Sequence, residues 1–311
     1  MKATVLGVLS GVLVVLLAGL WGGGAASADN GPHMSGQSVT TDSCAGCHRA
    51  HTAQAANLLK VSETALCSTC HDGSGATTMV DAGVTTGGGA LRAGGFQQAR
   101  INTQDSNPVG VGVLGGGQTT TSSHSTDGSS QELWGNSTPG SGPGFAGFQL
   151  TCISCHDPHG NGNYRILRPA PASEGGATDT TAGVNVPDES PKVYTTTNYF
   201  DNGPVIMSGA NAGKSWLSSW CAQCHTRYLA PGGSATTALP GEPIFKFRHD
   251  TQEAYAPSCV KCHAAHGSNA AVSGYAAQVA WPGGTAVTTA TGGSRLLKMD
   301  NRGICLKCHP R

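Results

Sequence analysis

The chain has 311 residues, 38% of them hydrophobic, 5% aromatic and 12% charged, with 46 glycines and 12 cysteines. A soluble domain ordinarily draws about half its residues from the apolar set and about a quarter from the charged set, so this composition excludes a conventional side-chain core and implies that something else fills the interior. Lys plus Arg equals Asp plus Glu at 18 each, which leaves no basic excess for nucleic acid and no acidic tail.

Lys2, the apolar run Val5 to Trp21 and the small residues Ala25, Ala26, Ser27 and Ala28 have the layout of a secretory signal peptide over residues 1–28, cut after Ala28. The Ala-Ser-Ala site favours cleavage over a retained membrane anchor. Residues 29–311 are then one exported domain with no other stretch able to span a bilayer. Six C-x-x-C-H motifs follow: Cys44, Cys47 and His48; Cys67, Cys70 and His71; Cys152, Cys155 and His156; Cys221, Cys224 and His225; Cys259, Cys262 and His263; and Cys305, Cys308 and His309. The Ala/Leu-rich stretch Ala53 to Leu66 predicts a helix between the first two. Residues 73–147 hold 19 glycines and read as a Gly/Ser/Thr-rich loop region, packed over cofactor faces if His124 is a ligand. Val193 to Phe200 and Pro243 to Phe247 read as short strands, and Ser215 to Thr226 as a short helix entering the fourth motif. Gly209 to Ser215 imitates a phosphate-binding loop but lacks one residue between its glycines.

No cysteine is left over, and a histidine follows every pair. Disulfides, redox dithiols or zinc knuckles would need the cysteines but not that histidine. Covalent haem needs both: two thiols add to the two vinyl groups of one macrocycle, and the adjacent imidazole reaches the iron from the proximal side. The cofactor expectation is six haem c, each with its iron. The proximal ligands are then His48, His71, His156, His225, His263 and His309.

Those six leave His33, His51, His124, His159, His249 and His266 for the six remaining axial positions. Three recur in the extended motif C-x-x-C-H-x-x-H, as His48 with His51, His156 with His159 and His263 with His266. On a helix, three residues is nearly one turn, so both imidazoles cannot grip opposite faces of one iron, and the second is expected to serve a neighbouring haem. His249 lies in Phe247-Arg248-His249 before the fifth motif, His124 in a Ser/Thr-rich loop and His33 near the mature N-terminus. Met34, Met79, Met207 and Met299 are alternative thioether ligands that would raise a haem's potential. Trp216 and Trp220 read as packing against a porphyrin face, and Lys261 and Lys307 either as partners of haem propionates or, equally, as solvated lysines. The fold class expected is mostly irregular coil with short α-helices and few short strands around a haem-filled core, unfolded without its haems.

The motif set resembles the multihaem c-type cytochromes, and within them the outer-surface hexahaem group that assembles into conductive filaments. The resemblance rests on Cys44-Ala-Gly-Cys47-His48-Arg-Ala-His51, on Cys152-Ile-Ser-Cys155-His156-Asp-Pro-His159-Gly160, and on Cys259-Val-Lys-Cys262-His263-Ala-Ala-His266-Gly267. It implies bis-histidine ligation, and donation of one distal histidine across a subunit boundary from the place His51 occupies here. Electron transfer rather than catalysis is expected, extracellular or otherwise periplasmic, with redox cytochromes or extracellular acceptors as partners and self-association into a filament. The alternatives are a monomeric periplasmic shuttle and a reductase of a small oxyanion with one open haem site.

Overall fold

The computed structural model describes residues 32–33, 41–103, 112–128, 134–135, 138–139, 149–171, 216–221, 223–225, 259–273, 291–301 and 303. The expected strands at 193–200 and 243–247, the imitation phosphate loop, His249, Met34, Met207 and Lys307 lie outside those residues, as does the signal peptide. The whole sixth motif lies outside them too: Cys305, Cys308 and the expected iron ligand His309 have no described position.

Each described motif folds as a single helical turn. Helices α1 (Thr41–Cys47), α2 (Glu63–Ser68), α3 (Cys152–Cys155), α4 (Trp216–Cys221) and α5 (Cys259–Cys262) carry the first five motifs. In every one, the N–H of the motif histidine donates to the carbonyl of the first cysteine, over 2.8 to 3.0 Å. That i to i+4 bond stacks the first cysteine and the histidine on one side of the turn. Helix α3 is capped at Thr151, whose N–H donates to the Ser154 hydroxyl at 3.0 Å. Glu63 of α2 accepts the N–H of Ile153 at 2.7 Å, satisfying a second open donor of α3 and locking the two helices together. Helix α4 packs likewise on α5.

The remaining regular structure is five two-stranded antiparallel sheets. Strands β1 (Thr78–Met79) and β2 (Val84–Thr85) form a small hairpin, and β3 (Gln98–Thr103) pairs with β4 (Gly112–Thr119) through a bulge between Ala99 and Ile101. Strand β5 (Ser122–Ser123) pairs with β8 (Gly267–Ser268), and β6 (Trp134–Gly135) with β7 (Thr138–Pro139). Strands β9 (Val272–Ser273) and β10 (Thr291–Gly292) form the fifth pair. The stretch expected to be a loop, 73–147, thus contributes seven of these strands among the described residues, and Gly83, Gly94 and Gly95 within it are buried.

Two other expectations are corrected. The run from Ala53 to Leu66 is not one helix: Ala56–Leu58 is a tight turn in which Asn57 and Leu58 have φ of 56° and 59°, and helix begins only at Glu63. Helix propensity yields there because the Asn57 carbonyl is turned to meet His48. In the extended motifs the helix stops at the second cysteine, and His48, His156 and His263 pair as extended residues with Leu59, Leu167 and Leu297. The second histidine is therefore directed by a loop, not by a helical turn.

Buried apolar clusters are small. Ala90, Ala99, Ala264 and Met299 form one, and Tyr164, Leu167, Leu217 and Val260 the other, with Trp220 packed on its edge. Near the first cluster the chain crosses itself so closely that Gly94, at φ of +70°, would drive a β-carbon into the Gly267 carbonyl oxygen.

Candidate haem centres

Eight of the ten described histidines fall into four facing pairs. Ring centroids lie 6.1 Å apart for His33 and His71, 6.4 Å for His48 and His159, 6.1 Å for His124 and His225, and 6.3 Å for His156 and His266. Each pair joins one motif histidine to one from elsewhere. A nitrogen lies about 1.1 Å from the centre of its imidazole ring, so these separations leave about 4 Å between facing nitrogens, twice the usual metal–imidazole bond of about 2.0–2.1 Å. Directly stacked rings would sit much closer, as Phe96 does on His266 at 4.5 Å.

In six of the described histidines Nδ1 is hydrogen-bonded. Nδ1 of His48 meets the Asn57 carbonyl at 2.9 Å, that of His156 the Arg165 carbonyl at 2.8 Å, and that of His263 the Arg295 carbonyl at 2.9 Å. Nδ1 of His33 meets the Pro158 carbonyl and that of His124 the Ala265 carbonyl. A carbonyl can only accept, so Nδ1 carries the proton and Nε2 keeps the free lone pair that a metal needs. His71 differs in using a hydroxyl, Thr78 Oγ1, at 2.6 Å. Burial lowers His71, His124, His156 and His263, and holds His225 and His266 down at about 3, so these imidazoles are neutral at pH 7.

The carbonyls come from a device that the sequence reading missed. Asn57-Leu58-Leu59-Lys60, Arg165-Ile166-Leu167-Arg168 and Arg295-Leu296-Leu297-Lys298 fold alike, with the first two residues of each at φ between 51° and 60°. In each turn the first carbonyl takes Nδ1–H of the motif histidine, and the second takes the next backbone N–H, from Arg49, Asp157 or Ala264. The N–H of the closing Lys or Arg returns to the second cysteine's carbonyl. Left-handed geometry costs a non-glycine residue roughly 1–2 kcal/mol, which these bonds offset. A polar residue, Leu or Ile, Leu, then Lys or Arg is the recurring pattern that would have revealed the turns.

None of the ten described cysteines is in a disulfide. They meet between motifs instead. The thiols of Cys67 and Cys152 share a hydrogen bond, as do those of Cys221 and Cys259, which raises Cys67 and Cys221. Burial raises Cys47, with Cys70 beside it, and pushes Cys155 up to about 12, with Cys224 beside it. Each inner motif thus touches its predecessor through one cysteine and its successor through the other. That arrangement is a line in sequence order, from the first motif to the fifth.

Not every expected ligand joins a pair. His51 is exposed and has no facing histidine among the described residues. His263 has its Nδ1 bond but no facing histidine of its own there. His249 and His309, both expected to hold iron, lie outside the described residues, as do Cys305 and Cys308. Met79 and Met299 join none of the four pairs; Met299 is fully buried in an apolar cluster. Trp220 donates Nε1–H to the Arg168 carbonyl at 2.7 Å, a packing role.

Residues 37–76, covering the first two motifs, match the family model for the doubled CXXCH motif. No curated relative and no solved structure matches the chain. The doubled motif is that of multihaem c-type cytochromes, which carry electrons on covalently bound haem. The described residues fit that group: paired thiols and an imidazole on each turn, and a second imidazole facing the first in four of five motifs.

Proposed function

We propose that the chain holds six c-type haems, each iron gripped by two histidines, and conducts electrons along them as an exported subunit that joins end to end with further copies. The observation that carries this is the set of four histidine pairs at 6.1–6.4 Å. Haem, when bound, supplies the one-electron iron couple. The protein's part is to attach it through Cys44 and Cys47, Cys67 and Cys70, Cys152 and Cys155, Cys221 and Cys224, Cys259 and Cys262, and Cys305 and Cys308. Distal ligands are His159, His33, His266 and His124 for the first four sites. His249 and His51 complete the set, and His309 is the proximal ligand of the sixth site on the strength of its motif alone. With an imidazole available on both sides of every iron, no open site remains for an oxyanion substrate, and the chain is not an enzyme. The macrocycles take the place of the apolar core that the small clusters leave short.

A rule within the pairs supports self-association. The second histidine of the third motif, His159, faces the first motif; that of the fifth, His266, faces the third. Each extended motif therefore reaches back two places. His51, on the first motif, has no site two places back in its own chain, and a second copy's fifth site is the counterpart. The surface around it is uncovered to match: Cys44, Ala50 and Asn57 are exposed, and Leu58 is 55% exposed, whereas its equivalents Ile166 and Leu296 are partly buried. Secretion follows from the signal-like residues 1–28, and among the described residues no helix is long and apolar enough to cross a membrane. The acceptors are redox cytochromes or extracellular oxidants.

The test is electron paramagnetic resonance and near-infrared spectroscopy of the oxidised holoprotein, with a pyridine haemochrome count, on wild type and His51→Ala. Wild type should show six low-spin bis-histidine haems and high-mass filaments by electron microscopy. His51→Ala should give monomers with one high-spin haem in six. Monomeric wild type with all six haems low-spin would refute the end-to-end assembly, and a high-spin wild-type haem would refute the pure conduit.

A further inference from the structure

Two arginines converge on one buried ring beside the third site. Arg92, 6% exposed, places its guanidinium carbon 5.9 Å from the ring centre of Tyr164, itself 5% exposed, and Arg165 places its own at 5.6 Å. The two arrive from opposite members of the pair formed by His156 and His266. Arg165 belongs to the return turn and gives its carbonyl to Nδ1–H of His156. Arg92 directly precedes Ala93, whose carbonyl accepts the backbone N–H of His266 at 2.6 Å.

The ring alone does not satisfy the Arg165 fork. A guanidinium presents five N–H donors in a planar fork shaped for a carboxylate, and an aromatic face answers only its charge. Nη2 of Arg165 is buried with no hydrogen-bond partner. A buried polar group in that condition is destabilising, and two like charges over one ring repel, unless an anion lies between them. The equivalent of Arg165 in the first motif is the uncharged Asn57, so the first site has no cation at this place.

We infer that Arg92 and Arg165, backed by Tyr164, form the carboxylate seat for the propionates of the haem attached at Cys152 and Cys155. This rests on the haem assignment above and deepens it: the pair fixes the orientation of that macrocycle and favours the reduced state of its iron, making the third site an electron-accepting step within the line.

The experiment uses the full holoprotein as wild type, Arg165→Met, Arg165→Lys and Arg92→Met. Each is titrated potentiometrically and counted by pyridine haemochrome, with thermal unfolding on the same samples. Arg165→Met should move one redox component at least tenfold toward the oxidised form, which is about 59 mV for a one-electron couple. Arg92→Met should move the same component in the same direction, and Arg165→Lys should recover most of the shift, since lysine keeps the charge and loses only the fork. Unchanged components in both methionine variants, with lowered thermal stability, would overturn the seat and leave only packing on Tyr164. Peptide mass spectrometry separates the other failure: a wild-type peptide spanning Cys152 to His156 without haem would overturn the assignment beneath.

Discussion

Replacing His159 with alanine is the cleanest perturbation of the paired-histidine arrangement. Its ring faces His48 at 6.4 Å, yet its side chain is 81% exposed, and its nearest charged neighbour, Asp157, is 3.9 Å away. Truncation therefore removes almost no protein packing and no close ion pair. What it does remove is one imidazole of the His48 pair, leaving a gap of about 4 Å from the remaining nitrogen, room for one metal ion and one small ligand. The expected result is one high-spin haem in six by electron paramagnetic resonance and magnetic circular dichroism, an unchanged haem count, and return to the all-low-spin spectrum on adding free imidazole. An all-low-spin spectrum without imidazole would refute the pairing of His48 with His159, and two altered haems would refute the reading that each distal histidine serves one site.

Gly94→Ala would force a β-carbon onto the Gly267 carbonyl at a left-handed position, so it should cost roughly 2–4 kcal/mol, read as a fall of several degrees in the melting temperature of the holoprotein. An unchanged melting temperature would mean that the two segments do not cross there. Thr78→Val removes the hydroxyl beside Nδ1 of His71, making that imidazole a weaker electron donor, and one redox component should rise while the haem count holds. A component that falls, or none that moves, would place the hydroxyl outside the ligand's reach. His309→Ala should leave a haem attached through Cys305 and Cys308 but convert it to high spin, and a spectrum identical to wild type would remove His309 from the ligand set.

The sites were legible in the sequence because covalent attachment demands fixed spacing: two thiols and an imidazole cannot serve one macrocycle at any other. The reach of the second histidine toward a neighbouring site was also legible, although through a wrong geometry, since a helical turn was invoked where a loop directs it. The facing histidines His33 and His124 carry no local pattern; both are placed by hydrogen bonds far along the chain, His33 to Pro158 across 125 residues and His124 to the carbonyls of Ala265 and His266. Left-handed Arg165 and Ile166 run against every local propensity, so only the recurrence of the tetrapeptide could have exposed their turn. The short strands within 73–147 escaped for a different reason: five of the seven are two residues long, too short to show an alternating pattern, and pairing with partners such as Gly267–Ser268 orders what composition does not.

The two-place reach of the extended motifs has a consequence for how the molecule matures. A chain synthesised from its N-terminus presents Cys44, Cys47 and His48 to the attachment machinery long before His159 has emerged, and the third site in turn waits for His266. On the proposed pairing, the first and third centres would therefore pass through a stage with a second axial position empty or borrowed by water or a stray side chain, whereas the second and fourth, facing His33 and His124 from upstream, would be complete as soon as their own motifs emerge. Quality control during biogenesis would then fall on the first and third centres alone, and a chain truncated before His159 or His266 would betray itself by leaving them chemically reactive.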